Sequence, residues 1–164
     1  MAAPHHRHDK QNLRVGIITL SDTRTAQTDE SGRLIRELVE RAGHRVVHYE
    51  IAPDAPELIE RAIAASLEGV DALIMNGGTG IAPRDSTIEV VRRMLDKELD
   101  GFGELFRMLS YHEIGPASFL SRALAGVIRG KVVVALPGSP AACRLGLEKL
   151  LLPELGHMAH LLGV

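Results

Sequence analysis

The sequence predicts an α/β fold, a single three-layer domain with a mostly parallel sheet and helices on both faces. Three observations carry this. Aliphatic, partly β-branched runs at 14–20, 45–51, 71–75 and 131–136 alternate with segments of helical periodicity, the pattern of strands joined by helical crossovers. Hydrophobic residues make up 45% of the 164 residues, yet aromatics only 3% with no tryptophan, so one aliphatic core is expected, as under a parallel sheet. Polar residues collect just after the runs, where an open parallel sheet forms its crevice.

Each element has its own signal. Residues 14–20 read as the first strand, followed by a polar loop at 21–30. Leu34, Ile35, Leu38 and Val39 recur at helical spacing within 31–42, and Gly43 ends that helix. Residues 45–51 alternate like a strand nearer an edge. Pro53 and Pro56 punctuate the next loop, and 57–67 is helical. The run 71–75 reads as a buried strand before a glycine-rich turn. Residues 86–128 read as helical or irregular, and 131–136 as the last strand. Residues 1–12 read as a flexible tail, and the domain as 13–164.

The turn Gly77-Gly78-Thr79-Gly80, followed by Arg84-Asp85, is the most informative stretch. Glycines let a backbone approach a ligand closely, and free N–H groups before a helix suit an anion. Arg84 can hold phosphate or carboxylate oxygens, and Asp85 can hold a divalent cation. A phosphate-binding P-loop is excluded, because no Lys-Ser or Lys-Thr pair follows the glycines. A dinucleotide fingerprint is excluded because the third glycine is missing. Asp85 is also a candidate N-cap for a helix at 86–94. A second turn, Pro137-Gly138-Ser139-Pro140, ends the last strand; Ser139 reads as an N-cap with Pro140 at the first helical position, and the turn as a second wall of the crevice. Ser21 and Asp22 follow the first strand and Asp54 the second, so these loops should converge with Arg84, Asp85 and Ser139. Carboxylates with arginine and backbone donors suit phosphoryl or nucleotidyl transfer through Mg2+.

Other chemistries are disfavoured. The formal net charge of −2 and the scarcity of aromatics argue against nucleic-acid binding. The single cysteine, Cys143, allows neither an internal disulfide nor a cysteine-based zinc site and reads as a packing residue. His44, His48 and His112 lack an evident nucleophile partner, and His157 and His160 lack a third ligand. The residues 1–8, which include His5, His6 and His8, have no apolar core and so no signal peptide. No apolar run reaches membrane-spanning length, so no membrane partner and a cytoplasmic location are expected.

The glycine turn with Arg84-Asp85, the segment Gly101-Phe102-Gly103-Glu104-Leu105-Phe106-Arg107-Met108-Leu109-Ser110, then Glu113-Ile114-Gly115, Ser121-Arg122-Ala123 and the turn at 137–140 occur in order. That series resembles the MoaB/Mog family of molybdenum cofactor biosynthesis proteins from about Arg14 to the C-terminal helix. The 101–110 segment and the short C-terminus look more like the MoaB branch. Related domains in molybdate-insertion and competence-damage proteins usually carry a variant of the second turn.

The resemblance implies binding of molybdopterin and its adenylylation by MgATP, giving AMP-molybdopterin and pyrophosphate. It implies catalytic and Mg2+-binding roles for Asp54 and Asp85. Gly78, Thr79 and Gly80 match the family's glycine loop. Gly77, Arg84, Pro137, Gly138, Ser139, Ser21 and Asp22, at the same converging strand ends, are further candidates to contact nucleotide or pterin. Ser118, Ser121 and Arg122 match the pterin-side segment. Asp29, Ser31 and Gly32 match an element opening the first helix near the nucleotide, where Asp29 equally fits a carboxylate stabilised by the helix dipole. An alternative within the family is a non-catalytic molybdopterin-binding or carrier protein; retention of Arg84, Asp85 and Asp54 favours the enzyme. A generic nucleotide-binding α/β domain is a third reading. The resemblance further implies a homotrimer or homohexamer, and the molybdate-insertion protein as a partner. The apolar 101–110 segment is expected to contribute Phe102 and Phe106 to the subunit contact.

Overall fold

The computed structural model describes residues 9–164. The strands are β1 (Arg14–Leu20), β2 (Arg45–Ala52), β3 (Ala72–Asn76), β4 (Lys97–Glu98), β5 (Leu124–Ile128) and β6 (Lys131–Leu136). The helices are α1 (Glu30–Arg41), α2 (Pro56–Leu67), α3 (Thr87–Met94), α4 (Asp100–Ile114), α5 (Pro140–Gly146) and α6 (Leu152–Leu162). A 3-10 turn, Gly115–Leu120, follows α4, and a π-helical turn, Leu147–Leu151, joins α5 to α6. Of the tail expected at 1–12, residues 1–8 and their histidines lie outside the described residues. Asp9 and Lys10 run against α6, where the Lys10 N–H donates to the Gly156 carbonyl at 3.1 Å, and the Asn12 N–H donates to the Gly43 carbonyl after α1 at 3.1 Å.

The sheet order is β2-β1-β3-β6-β5-β4. β2, β1, β3 and β6 are parallel, and β5 runs antiparallel to both β6 and β4. β1, β3 and β6 read as near-continuous apolar runs because both faces are covered, whereas β2, at the sheet edge, carries His48, Tyr49 and Glu50 and is only partly buried. Alternate residues nevertheless divide between two cores. Val132, Val134 and Leu136 of β6 pack with α1, α4, α5 and α6, whereas Val133 and Ala135 pack with α2 and α3.

Two sequence expectations are corrected here. Residues 86–128 are not all helical or irregular: they contain β4 and β5. Ile128 pairs with Lys131 across Arg129-Gly130, whose φ values of 49° and 74° make the tight reverse turn that fits strand twist. β5 is short and interrupted by Gly126, whose missing side chain leaves room for Leu95 and the β4 backbone, so it lacks a clean strand pattern. Second, Phe106 does not face outward. It is 1% exposed, stacks on Phe102 at a centroid distance of 6.4 Å, and belongs to the core. The outward side of α4 instead carries Leu105, Met108 and Tyr111, with Phe119 beyond it.

The register places the site. Leu20 pairs with Ala52, Thr19 with Asn76, and Asn76 with Leu136, so the parallel strands end at one level. From β1 the chain moves outward to β2 on one side, then crosses back past β1 to β3 on the other, which makes the gap between β1 and β3 the switch point where a crevice opens.

Candidate functional site at the carboxyl edge of the sheet

Four loops meet at this edge, and hydrogen bonds fix them to one another. The Ser21 N–H donates to the Ala52 carbonyl at 3.0 Å, and the Gly77 N–H to the Leu136 carbonyl at 3.0 Å. The Asp54 N–H donates to Asp22 Oδ1 at 3.0 Å, joining the loops after β1 and β2. Thr87 pins the glycine turn: its hydroxyl donates to the Gly77 carbonyl at 3.0 Å and its N–H to the Gly78 carbonyl at 3.1 Å. Gly77 and Gly78 have φ of 99° and 63°, conformations that favour glycine, and Gly78 packs directly on the Asp54 carboxylate. Among the described residues no group accepts a hydrogen bond from the N–H of Gly78, Thr79 or Gly80.

The site has two compartments. The first is a hollow of about 160 Å3 lined by Ser21, Asp22, Asp54, Gly78, Arg84 and Asp85. Asp54 Oδ1 is buried there with no hydrogen-bond partner. Burial raises the Asp54 carboxyl above its usual range; Asp85 and Asp22 add to this, and Arg84 opposes it. Arg84 is exposed and makes no hydrogen bond to another described residue. A buried carboxylate oxygen beside two more carboxylates is costly unless a cation joins them. Among the described residues no three metal-ligating side chains stand close enough to hold a metal by themselves. That donor set suits Mg2+, which is usually bound by one or two carboxylates completed by water and substrate phosphates.

The second compartment is a largely apolar cavity of about 430 Å3 between the glycine turn, the 137–139 turn and α4. Gly77, Gly78, Thr79, Gly80 and Asp85 line one wall, and Pro137, Gly138 and Ser139 another. Gly78 and Asp85 line both compartments, which therefore meet across the turn. Ser121 lines the cavity, and its Oγ is buried without a partner. Ser118 is buried behind it, where its carbonyl accepts from the Ser121 N–H at 3.1 Å. Phe106, Ser110 and Ile114 of α4 complete the cavity. Sequence reasoning had not placed them there, although Phe102, Phe106 and Ser110 at spacings of four mark one face of a helix.

Several residues expected at the site have a scaffold role in this geometry. Asp29 is the N-cap of α1 and is 2% exposed. It accepts hydrogen bonds from the Gly32 N–H at 2.9 Å, the Thr19 hydroxyl at 2.6 Å and the Tyr49 hydroxyl at 2.6 Å. Burial first, then the Asp29 carboxylate, push the Tyr49 phenol up to about 12. Ser31 donates to the Gly138 carbonyl at 2.7 Å, so α1 braces the 137–139 turn. Ser139 caps α5 by accepting from the Ala142 N–H at 3.2 Å. The Ser21 hydroxyl accepts from the Thr23 and Arg24 N–H groups at 3.2 and 3.1 Å, closing its own turn. Asp85 does not cap α3, whose N-cap is Ser86; its Oδ2 accepts from the Ala82 N–H at 2.9 Å, within the loop. Cys143 is buried, donates to the Pro137 carbonyl at 3.3 Å, and has its thiol pushed up to about 12 by burial. It is a packing residue, as read. Among the described residues no helix is long and apolar enough to cross a membrane.

A crevice at the switch point, a strand–glycine turn–helix and an acidic corner form one arrangement over nearly the whole chain. The sequence profile of the family described as "Probable molybdopterin binding domain" matches residues 16–157. The chain belongs to this family, that of the MoaB/Mog molybdenum cofactor biosynthesis proteins. Molybdenum cofactor biosynthesis protein B of Bacillus cereus is 53% identical over 157 residues, covering 94% of this chain and 93% of that protein. A crystal structure of a Molybdenum cofactor biosynthesis protein B superposes with a TM-score of 0.91 at 53% identity, covering 93% of this chain and 97% of the other. The tungsten cofactor synthesizing protein MoaB from Pyrococcus furiosus superposes with a TM-score of 0.84 at 39% identity, covering 92% and 97%.

Proposed function

We propose that this protein binds molybdopterin and adenylylates it with MgATP, releasing pyrophosphate. One observation carries the reading: the unpartnered, buried Asp54 Oδ1 in an acidic hollow that shares Gly78 and Asp85 with a larger apolar cavity. An orphaned carboxylate oxygen of this kind favours a cation-assisted reaction over a binding cavity alone. The apolar cavity suits a flat pterin, with Ser121 Oγ as an unused polar contact. Asp54 and Asp85 would hold Mg2+, with Asp22 steadying Asp54 through its backbone N–H. The cation supplies charge neutralisation on the triphosphate when bound. Arg84, Thr79 and the free N–H groups of the turn would orient the phosphates. An oxygen of the molybdopterin phosphate attacks the α-phosphorus of ATP; the new P–O bond forms as the bond to the β-phosphate breaks, and pyrophosphate carries off the electron pair. The chain's contribution is then positioning and electrostatics.

The exposed apolar face of α4, with Leu105, Met108, Tyr111 and Phe119, supports self-association, and we assign it to the contact in a homotrimer or homohexamer. The molybdate-insertion protein is the expected consumer of the product, and the cytoplasm the expected location. The test is direct. Purified protein given molybdopterin and MgATP labelled at the α-phosphate should transfer label to the pterin and release unlabelled pyrophosphate. Tight molybdopterin binding with no transfer at saturating MgATP would leave only the carrier role.

A further inference from the structure

Arg122, at the start of the segment leading into β5, is engaged by the back of the glycine turn. Its Nε donates to the Thr79 carbonyl at 3.2 Å and the Gly80 carbonyl at 3.0 Å. Its Nη2 donates to the Gly80 carbonyl at 2.7 Å and, more weakly, to the Asp85 carbonyl at 3.4 Å. Nη1 forms an ion pair with Glu89 of α3. The guanidinium thus binds three loop carbonyls and one carboxylate at once. A lysine ammonium has neither the span nor the planar fork for this.

The consequence follows from peptide geometry. In a trans peptide the carbonyl and the next N–H point in opposite directions. Holding the Thr79 and Gly80 carbonyls on Arg122 therefore turns the Gly80 and Ile81 N–H groups away from it. Neither N–H donates to a described residue. Glu89 already balances the Arg122 charge, so the guanidinium is poorly placed to act as a free phosphate ligand.

We infer that Arg122, braced by Glu89, is a positioning residue. It fixes peptides 79–81 and the backbone of Asp85 so that the turn offers outward N–H donors to an anionic group. This differs from a direct pterin contact by Arg122. The identity of the anionic group rests on the proposed adenylyl transfer; the ordering of the loop does not.

The experiment compares wild type, Arg122→Met, Arg122→Lys and Glu89→Gln by backbone 15N relaxation. In the wild type Gly80 and Ile81 should have order parameters of about 0.85, typical of rigid backbone, and in Arg122→Met below about 0.6. Arg122→Lys should resemble Arg122→Met, and Glu89→Gln should fall between, while β3 stays rigid in all. Added guanidinium ion should partly restore order in Arg122→Met. In the transfer assay the same variants should raise KM about tenfold with kcat changed less than threefold. Unchanged order parameters at Gly80 and Ile81 overturn the inference, including the case where Arg122→Met loses substrate binding, which would make Arg122 a direct ligand. If Arg122→Met does not fold, Arg122→Lys and Glu89→Gln carry the comparison. If the protein transfers no adenylyl group, the relaxation data still decide whether Arg122 orders the loop, so the two failures are distinct.

Discussion

Phe106 and Phe119 lie close in sequence and should respond oppositely to truncation. Phe106 is 1% exposed and Phe119 is 73% exposed. A buried phenylalanine removes about 150–250 Å2 from water, which at about 25 cal/mol per Å2 is about 4–6 kcal/mol as an upper bound. Truncations of this kind cost about 3–5 kcal/mol, so about 4 kcal/mol is expected for Phe106→Ala. In a domain of this size each kcal/mol moves Tm by about 2–4 °C, giving a fall of about 8–16 °C. That loss arises within the protomer and should not depend on protein concentration. Phe119→Ser should change protomer stability by about 0.5 kcal/mol or less. If Phe119 lies in a subunit contact, its loss should appear only as a lower mass in light scattering and as a concentration-dependent part of Tm. Calorimetry over a hundredfold dilution, with light scattering alongside, separates the two. Phe106→Ala melting within about 2 °C of wild type, or dissociating a protomer of full stability, would overturn the core assignment.

Three other perturbations have defined outcomes. Asp54→Asn should raise Tm at neutral pH while abolishing transfer: burial, then Asp85 and Asp22, put the folded carboxyl above its unfolded value, so its charge costs stability above the folded pKa, and the gain should shrink as pH falls into the carboxylate range in melts from pH 8 to 4. Asp71→Ala should cost about 1–2 kcal/mol by chemical denaturation, because Asp71 Oδ2 accepts the Arg14 N–H at 2.8 Å. Burial pushes the Asp71 carboxyl up, but the Arg14 hydrogen bonds outweigh it and hold it below its usual value. The difference from wild type should therefore be full above the ordinary carboxylate range and fade as pH falls through the folded pKa. Gly78→Ala drives a Cβ into the Thr87 hydroxyl that pins the turn and to 2.8 Å from Asp54 Oδ1, at φ 63°. The backbone strain alone should cost about 1–2 kcal/mol, the displacement of Thr87 adds to it, and transfer should fall with the loss of Tm.

The parallel half of the sheet was legible because β1, β3 and β6 are near-continuous aliphatic runs closed by a turn residue and β2 alternates as an edge strand does, and the converging loops followed from the parallel-sheet rule. The β5–β6 hairpin was not, since a short segment containing Gly126 and turning through Arg129-Gly130 has no strong strand signal. At the site, Asp54, Asp85 and the glycine turn could be named from type and position. Which residues brace them could not. Asp29 reads the same from sequence whether it faces a ligand or, as here, is held by Thr19, Tyr49 and Gly32. The Arg122 contacts span 42 residues and depend on the packing of β5 beside β6. Phe102 and Phe106 read as exposed only while α4 lacked an inner face, and the core supplied one.

Transfer by Asp85→Asn tests the central claim most directly. Asp85 lines both compartments, so removing its charge should leave the fold and molybdopterin binding intact. AMP-molybdopterin formation at saturating MgATP should then fall by about 10²-fold or more, the scale for loss of a positioned electrostatic group. A folded Asp85→Asn protein that binds molybdopterin and turns over at the wild-type rate would contradict the account.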